Sequence, residues 1–347
     1  MINKVDISDE KRNSIINEIN LCFSDAIKNI PITISDATGK KTRKSKLSYE
    51  NVLIYSFLYC EMSKSQSKIV SNLNYIDKQN DDSKCALSRT TYYEKEKLIP
   101  AKVYCDIFNK LTNIYNKHFE ISNDGILKII AVDGTYNNTN KYNIVDYLET
   151  SLNLGFFDVI NGIPIDLTFN DVLNKNNEVL LLEKYIKKNI KKYKNCVFIL
   201  DRAYSSYQFI ETLNKKNVKY IIRFRNNCDK IPEKNRVIKF NSELETTVPN
   251  DDIENKTINN KKFKNVKLLT KNNYTLVTNL DQKNYDNDKI KSLYEKRWDI
   301  EVYFKTLKSN FKMNNLRITD IKQTGEAYDK HNIKMMSIYI LAKIFEK

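Results

Sequence analysis

Three acidic residues are set where a carboxylate can leave a folded core and do chemistry. The run "ILKIIAVDGT", Ile126–Thr135, is apolar until Asp133. The run "CVFILDRAYSS", Cys196–Ser206, is apolar until Asp201. Both read as short buried strands whose aspartate stands at the strand end, Asp133 with a turn at the following glycine. The third, Glu301, lies in "SLYEKRWDIEVYFKTLKSNF", Ser292–Phe311, which has no Gly or Pro and reads as one helix. Two strand-end aspartates and a helical glutamate suit divalent-cation phosphoryl chemistry. Mg²⁺ takes hard oxygen ligands, and two cations about 3.5–4 Å apart can flank a scissile phosphate. Such chemistry needs no Ser, Cys or His nucleophile, and this chain has only two histidines. An aspartate after an apolar strand is also a common turn residue, so the set carries the argument and neither aspartate alone does.

At about 100° per residue, with Tyr294 at zero, Arg297 falls near −60°, Glu301 near −20° and Lys308 near −40°. These four share one stripe. Leu293, Ile300, Phe304, Leu307 and Phe311 form a second stripe, about 80° away, which must face the core. Trp298, the only tryptophan, falls near +40°, beyond the polar stripe. It therefore reads as a contact residue that could stack on a base while Arg297 and Lys308 hold phosphates. A tryptophan packed under a neighbouring domain is the plainer alternative.

The elements that must position these residues change in kind along the chain. Residues 1–124 read as helical: "EKRNSIINEINLCFSDAIKNI" places Ile15, Ile19, Phe23 and Ile27 at helical spacing. A basic link, "GKKTRKSKLS", and further short helices follow, an arrangement similar to a helix-turn-helix and equally to a small bundle with a basic face. Residues 125–347 alternate strands and helices. Strands are expected at "SLNLGFFDVI" and "IPIDLTFND", with a turn at Asn161-Gly162, and at "KYIIRFRNN". Amphipathic helices are expected at "NEVLLLEKYIKKNIKKY" and "YQFIETLNKKN". Residues 227–285 look strand-rich and polar, with a hairpin expected through Asn272-Asn273. The whole describes an α/β fold, a mixed sheet covered by helices.

Composition narrows the classes. The chain has 347 residues and a formal charge of +15, which points to a polyanion such as nucleic acid, although lysine enrichment can also follow genomic base composition. The six cysteines form no C-x-x-C pair, which disfavours a zinc ribbon and fits a reducing compartment. No apolar leader and no run of 18 apolar residues is present. A secreted or membrane protein is disfavoured, and an intracellular one, in cytoplasm, nucleoid or nucleus, is expected.

Tyr294, Arg297, Glu301 and Lys308 in "YEKRWDIEVYFKTLK" resemble the Y-R-E-K motif of the IS4-type DDE transposases. "AVDGT" at Asp133 and "LDRAYSS" at Asp201 are similar to that family's two aspartate motifs, and "LVTNL" also fits its pattern. Asp201 is followed by Arg-Ala-Tyr where the family often has Arg-Gly-Tyr. The resemblance spans about Ile126 to the C-terminus. It implies an RNase H-like catalytic domain over 125–347 with a strand-rich insertion at about 227–285, preceded by a helical DNA-binding region over 1–124. It implies that Asp133, Asp201 and Glu301 bind Mg²⁺, with Mn²⁺ able to substitute. Tyr294, Arg297 and Lys308 would hold the DNA backbone, with Trp298 stacking on a displaced base. The implied activity is cleavage at transposon terminal inverted repeats and strand transfer by the freed 3′-OH into target DNA, commonly by a homodimer. The competing readings are a transposase-derived DNA-binding protein without catalysis and an RNase H-like nuclease of another role.

Overall fold

A computed structural model of the protein describes residues 8–28, 30, 49–58, 89–121, 127–138, 150–169, 177–224, 235–249, 265–310 and 324–347. The basic link at 39–48 and the segment "SKSQSKIVSNLNYI" lie outside these. The helices are α1 (Asp9–Lys28), α2 (Tyr49–Leu58), α3 (Arg89–Leu98), α4 (Ala101–Phe119), α5 (Glu178–Asn189), α6 (Tyr207–Lys215), α7 (Asn287–Glu295), α8 (Trp298–Ser309) and α9 (Thr324–Phe345). The strands are β1 (Lys128–Asn138), β2 (Thr150–Asp158), β3 (Ile163–Phe169), β4 (Cys196–Leu200), β5 (Lys219–Phe224), β6 (Arg236–Pro249) and β7 (Asn265–Thr278). The strands form one mixed sheet in the order β3-β2-β1-β4-β5-β7-β6. The expected mixed sheet with flanking helices is the fold found.

The chain divides into two compact units: 1–126, 131–181 and 298–347 in the first; 127–130 and 182–297 in the second. In the first, α1 buries Ile15, Ile19, Cys22 and Ala26 against α4, which buries Val103, Tyr104, Ile107, Phe108 and Leu111. The Cys22 thiol donates to the Ile107 carbonyl, and burial pushes its pKa up to about 11, so it behaves as a small core residue. Pro100 separates α3 from α4 and sits at the N-cap with φ −63°, the proline-set angle that suits the start of a helix. The long apolar helix α9 packs on α4 and β3, and Lys334 bonds Glu96 of α3 at 3.1 Å. β2 and β3 form an antiparallel hairpin. Its turn has Gly162 at φ +67°, a left-handed angle that glycine adopts freely. The buried Asp158 carboxylate accepts from Ile160 N–H, Asn161 N–H and Asn161 Nδ2, an Asx-type closure of that turn.

One tie between α1 and α4 is titratable. Glu18 accepts from Lys117 at 2.8 Å and meets His118 Nε2 at 3.0 Å. The Lys117 ammonium first, and His118 after it, hold the Glu18 carboxyl below its ordinary value of 4.5, with burial opposing them. A depressed folded pKa stabilises above the unfolded value and is lost as pH falls through the folded one. Thermal unfolding followed from pH 6 to pH 3 should therefore show a steeper loss of Tm for the wild type than for Glu18→Gln. Parallel curves for the two would show that the contact contributes nothing.

In the second unit β4 is buried throughout and runs parallel to β5, the continuous apolar pattern of a strand covered on both faces. Ser206 caps α6 by accepting from Phe209 N–H. Asn217 follows α6 at φ 55° while Val218 N–H reaches the Leu213 carbonyl, a left-handed helix stop that asparagine tolerates. Asp286 caps α7 by accepting from Lys289 N–H at 2.8 Å.

Three expectations need correction. β1 does not end at Asp133; it continues through Gly134 to Asn138. The glycine makes room for the Glu178 carboxylate, with which a Cβ there would collide, and forms no turn. β7 has no hairpin at Asn272-Asn273. It pairs with β6 along its whole length, Asn241 opposite Asn273 and Ser242 opposite Asn272, so cross-strand pairing overrides the local turn signal. The Ser292–Phe311 helix is two helices, α7 and α8, separated by Lys296 and Arg297. The Arg297 N–H bonds the Tyr294 carbonyl at 2.9 Å, three residues back, so the end of α7 tightens into a 3₁₀-type turn. The single wheel drawn from Tyr294 to Lys308 therefore does not describe this segment.

Candidate active site

In the first unit, Asp133, Gly134 and Thr135 of β1 and Glu301, Phe304, Lys305, Lys308 and Ser309 of α8 line one cavity of about 590 Å³. Asp133 and Thr135 are two apart on a strand and share its face. Glu301, Lys305 and Lys308 recur at four and three residues on α8 and share a helix face. The helix is anchored by Ile300, Tyr303, Phe304 and Leu307, all buried. Phe304 enters a notch over β2: a Cβ on Gly155 would stand 2.5 Å from its ring tip. Tyr303 stacks on Phe157 at 4.9 Å and meets the edge of Tyr339 of α9 at 4.9 Å. Core packing on one side of α8 thus turns the Glu301–Lys308 side to Asp133.

The electrostatics are mixed by design of the wall. Burial lowers the Lys308 pKa from its ordinary value, and the Asp133 carboxylate partly restores it. Asp133 Oδ1 accepts from the Gly134 N–H at 3.0 Å. The Thr135 hydroxyl is buried and has no hydrogen-bond partner among the described residues. Hard oxygens from Asp133 and Glu301 together with this unsatisfied hydroxyl are a donor set that suits Mg²⁺ or Mn²⁺. Among the described residues no three Asp, Glu, His or Cys side chains already stand at mutual metal-binding distance.

In the second unit, Asp201 directly follows β4, in extended backbone at φ −75°, ψ 172°, as expected for a strand-end carboxylate. The next three residues, Arg202–Tyr204, form a 3₁₀ turn with ordinary angles, so alanine at 203 needs no glycine-like conformation. Tyr294 is buried although it lies outside the stripe expected to face the core. Burial pushes its phenol up to about 12; Arg297 and Arg223 oppose this and Asp201 adds to it. Arg297 approaches the Tyr294 hydroxyl without completing a well-formed bond. Asp201, Tyr294 and Arg297 thus form one electrostatic neighbourhood. Asp133, Glu301 and Lys308 form another. Trp298 opens α8 and is 61% exposed.

Two members of the second neighbourhood escaped the sequence reading. Arg223 of β5 lies over the Tyr274 ring of β7 at 5.6 Å, and that ring is 6.3 Å from Tyr294. Arg223 pairs in register with Leu276, so it shares a sheet face with Tyr274, two residues from Leu276. An arginine inside the otherwise apolar "YIIRF" was the available signal. The buried Thr135 hydroxyl of the first was missed as well.

Residues 155–325 match the model of the transposase DDE domain. That range contains Asp201, Tyr294, Arg297, Glu301 and Lys308; Asp133 precedes it. The chain is 29% identical over 245 residues to a putative transposase for insertion sequence element IS4SA from Synechocystis sp. (strain ATCC 27184 / PCC 6803 / Kazusa), covering 65% of this chain and 64% of that one. A piggyBac transposase solved in a synaptic complex with hairpin DNA resembles it at a TM-score of 0.48 and 11% identity, covering 96% of this chain and 74% of that one. The match to the transposase DDE domain spans 155–325, just under half of the 347 residues, and the chain spans 64% of the length of the similar IS4SA transposase.

Proposed function

We propose that the protein is an active DDE transposase that cuts DNA at its element's terminal inverted repeats and joins the freed 3′-OH to target DNA. The observation that carries this reading is the cavity shared by Asp133 and Glu301, with Lys308 on its wall. In this reading the domain has the RNase H-like arrangement, and Asp201 converges with Asp133 and Glu301 around the cation. The cation, when bound, neutralises charge on the scissile phosphate and activates the attacking oxygen. The chain's own groups do the rest. The Lys308 ammonium offsets negative charge beside Asp133 and meets a phosphate oxygen as a point charge. Arg297 and Arg223 present guanidinium forks suited to phosphate. Tyr274 and Tyr294 brace them, and the exposed Trp298 ring stacks on an unpaired base.

In the same reading residues 1–124 bind the element's ends, residues 125–347 cut, and two copies act on paired ends. Mg²⁺ is the working cation and Mn²⁺ substitutes for it. No helix among the described residues is long and apolar enough to cross a membrane, and the reading places the protein with its DNA inside the cell.

The test is direct. Purified protein with Mg²⁺ should cut linear DNA carrying the element's ends at the repeat boundary, and EDTA should stop it. Nicking of any duplex without preference for the ends would favour a nuclease of another role. End-specific binding with no cutting in either Mg²⁺ or Mn²⁺ would favour a DNA-binding derivative.

A further inference from the structure

Three strands begin at one edge of the sheet in the second unit. β4 opens at Cys196 and runs parallel to β5, with Val197 beside Lys219. β1 begins on its other side, where the Lys128 N–H bonds the Asn195 carbonyl at 3.1 Å. The approach to β4 is basic. Residues 184–194 hold six lysines and no acidic residue, and all six lysines are exposed. Tyr193 fixes the turn that carries the last of them. It is 1% exposed, its ring centroid lies 5.3 Å from that of Phe198, and its N–H bonds the Ile190 carbonyl. Lys191, Lys192 and Lys194 are thereby held in solvent around a buried tyrosine. Lys215 and Lys216, exposed at the end of α6, stand before β5. β7 is antiparallel to β5, and past it the edge changes sign, since Asp281, Asp286 and Asp288 follow β7. The basic patch is therefore centred on the turn before β4. Base composition can raise the number of lysines, but it does not gather them from separate segments at one sheet edge.

We infer that this edge binds the backbone of duplex DNA of any sequence, at a place apart from Asp201. Lysine meets a phosphate as a point charge on a flexible stem; phosphate contacts position a duplex without reading its bases, and several of them release several counterions. Asp201 follows the other end of β4. The five residues of β4, at about 3.3 Å each, put about 15 Å or more between the two ends, so a phosphate held at this edge is not one held at Asp201. The occupant is target DNA, a step that rests on the proposed function, in which residues 1–124 bind the element's ends. Lysines near a helix C-terminus also offset its dipole, and Lys187 is paired with Glu183 at 2.6 Å. Those roles stabilise the fold without DNA, so a readout on DNA separates them.

The experiment follows binding of the full-length protein to a fluorescent duplex lacking the element's ends, by anisotropy over a series of salt concentrations, with Tm recorded for each variant without DNA. Lys191→Gln, Lys192→Gln and Lys194→Gln combined should flatten the slope of log affinity against log salt by about two to three. Affinity at low salt should fall at least about tenfold, and Tm should stay close to wild type. Lys184→Gln with Lys188→Gln, one turn apart on α5, should flatten the slope by about two and gives the answer should the triple variant fold poorly. Three lysines removed elsewhere, by Lys239→Gln, Lys283→Gln and Lys347→Gln, should change the slope by less than about one. In the full reaction the edge variants should lose more strand transfer into target than cutting at the ends. An unchanged slope in both edge variants, or an equal loss in the scattered variant, overturns the inference. An edge variant of lower Tm that binds the duplex normally once folded assigns the lysines to the helix ends and also overturns it. A flattened slope in a protein that cuts no DNA keeps the surface and overturns the transposase reading. A flattened slope with transfer and cutting reduced alike keeps the surface and overturns target DNA as its occupant.

Discussion

If the proposed transposase function holds, Glu301→Ala should lower the rate of strand cleavage by more than about a hundredfold and leave affinity for the element's ends close to wild type. The reason lies in what else lines the cavity. Glu301 lines one wall opposite Asp133, and alanine leaves no oxygen there. The basic side chains Lys305 and Lys308 stay on the same cavity wall, and the pull of basic groups on a DNA backbone is a sum over many contacts. Alanine is a better helix former than glutamate, so α8 keeps its shape. Cleavage of end-bearing DNA in Mg²⁺, beside a gel-shift titration in Ca²⁺ or EDTA, reads the two effects separately. An alanine variant that cuts at the wild-type rate would remove Glu301 from the chemistry.

Phe304→Ala destabilises the protein by about 3–5 kcal/mol, the range for large aromatic residues truncated in a core. Phe304 is 5% exposed and its ring fills the notch left by the missing side chain of Gly155. It also packs against Tyr303 at 5.4 Å between centroids. Truncation opens a cavity that the β2 backbone can close only by moving. The consequence reaches the site, because Glu301 and Lys308 lie one turn to either side of Phe304 on α8. Val302 on the same helix is 48% exposed, and Val302→Ala should stay within about 0.5 kcal/mol. Urea unfolding of the two variants makes the comparison. Equal midpoints would mean that α8 is not anchored through Phe304.

How far the sequence anticipated this structure depended on how local each feature is. The Asn161-Gly162 turn, the buried strand before Asp201 and the amphipathic α6 follow from neighbouring residues, and all three are present. The burial of Ile300, Phe304 and Leu307 and the exposure of Trp298 follow from period alone. The break at Lys296-Arg297 has no Gly or Pro to announce it. Helical periodicity read across it gave a polar stripe that is really two groups, Tyr294 and Arg297 before α8 and Glu301 and Lys308 on it. Asp133-Gly134 has the letters of a turn, yet the glycine is required by Glu178, which lies far along the chain. The pairing of β6 with β7, and with it the Arg223–Tyr274 contact, depends on sheet register. No short window of sequence encodes that register.

In the proposed function, Asp201 joins Asp133 and Glu301 around the same cations. Anomalous diffraction from Mn²⁺ in crystals of the full chain bound to end DNA tests it most directly. The account predicts manganese in contact with carboxylate oxygens of all three residues, at about 2.0–2.3 Å. Manganese held by Asp133 and Glu301 while Asp201 binds none would contradict it.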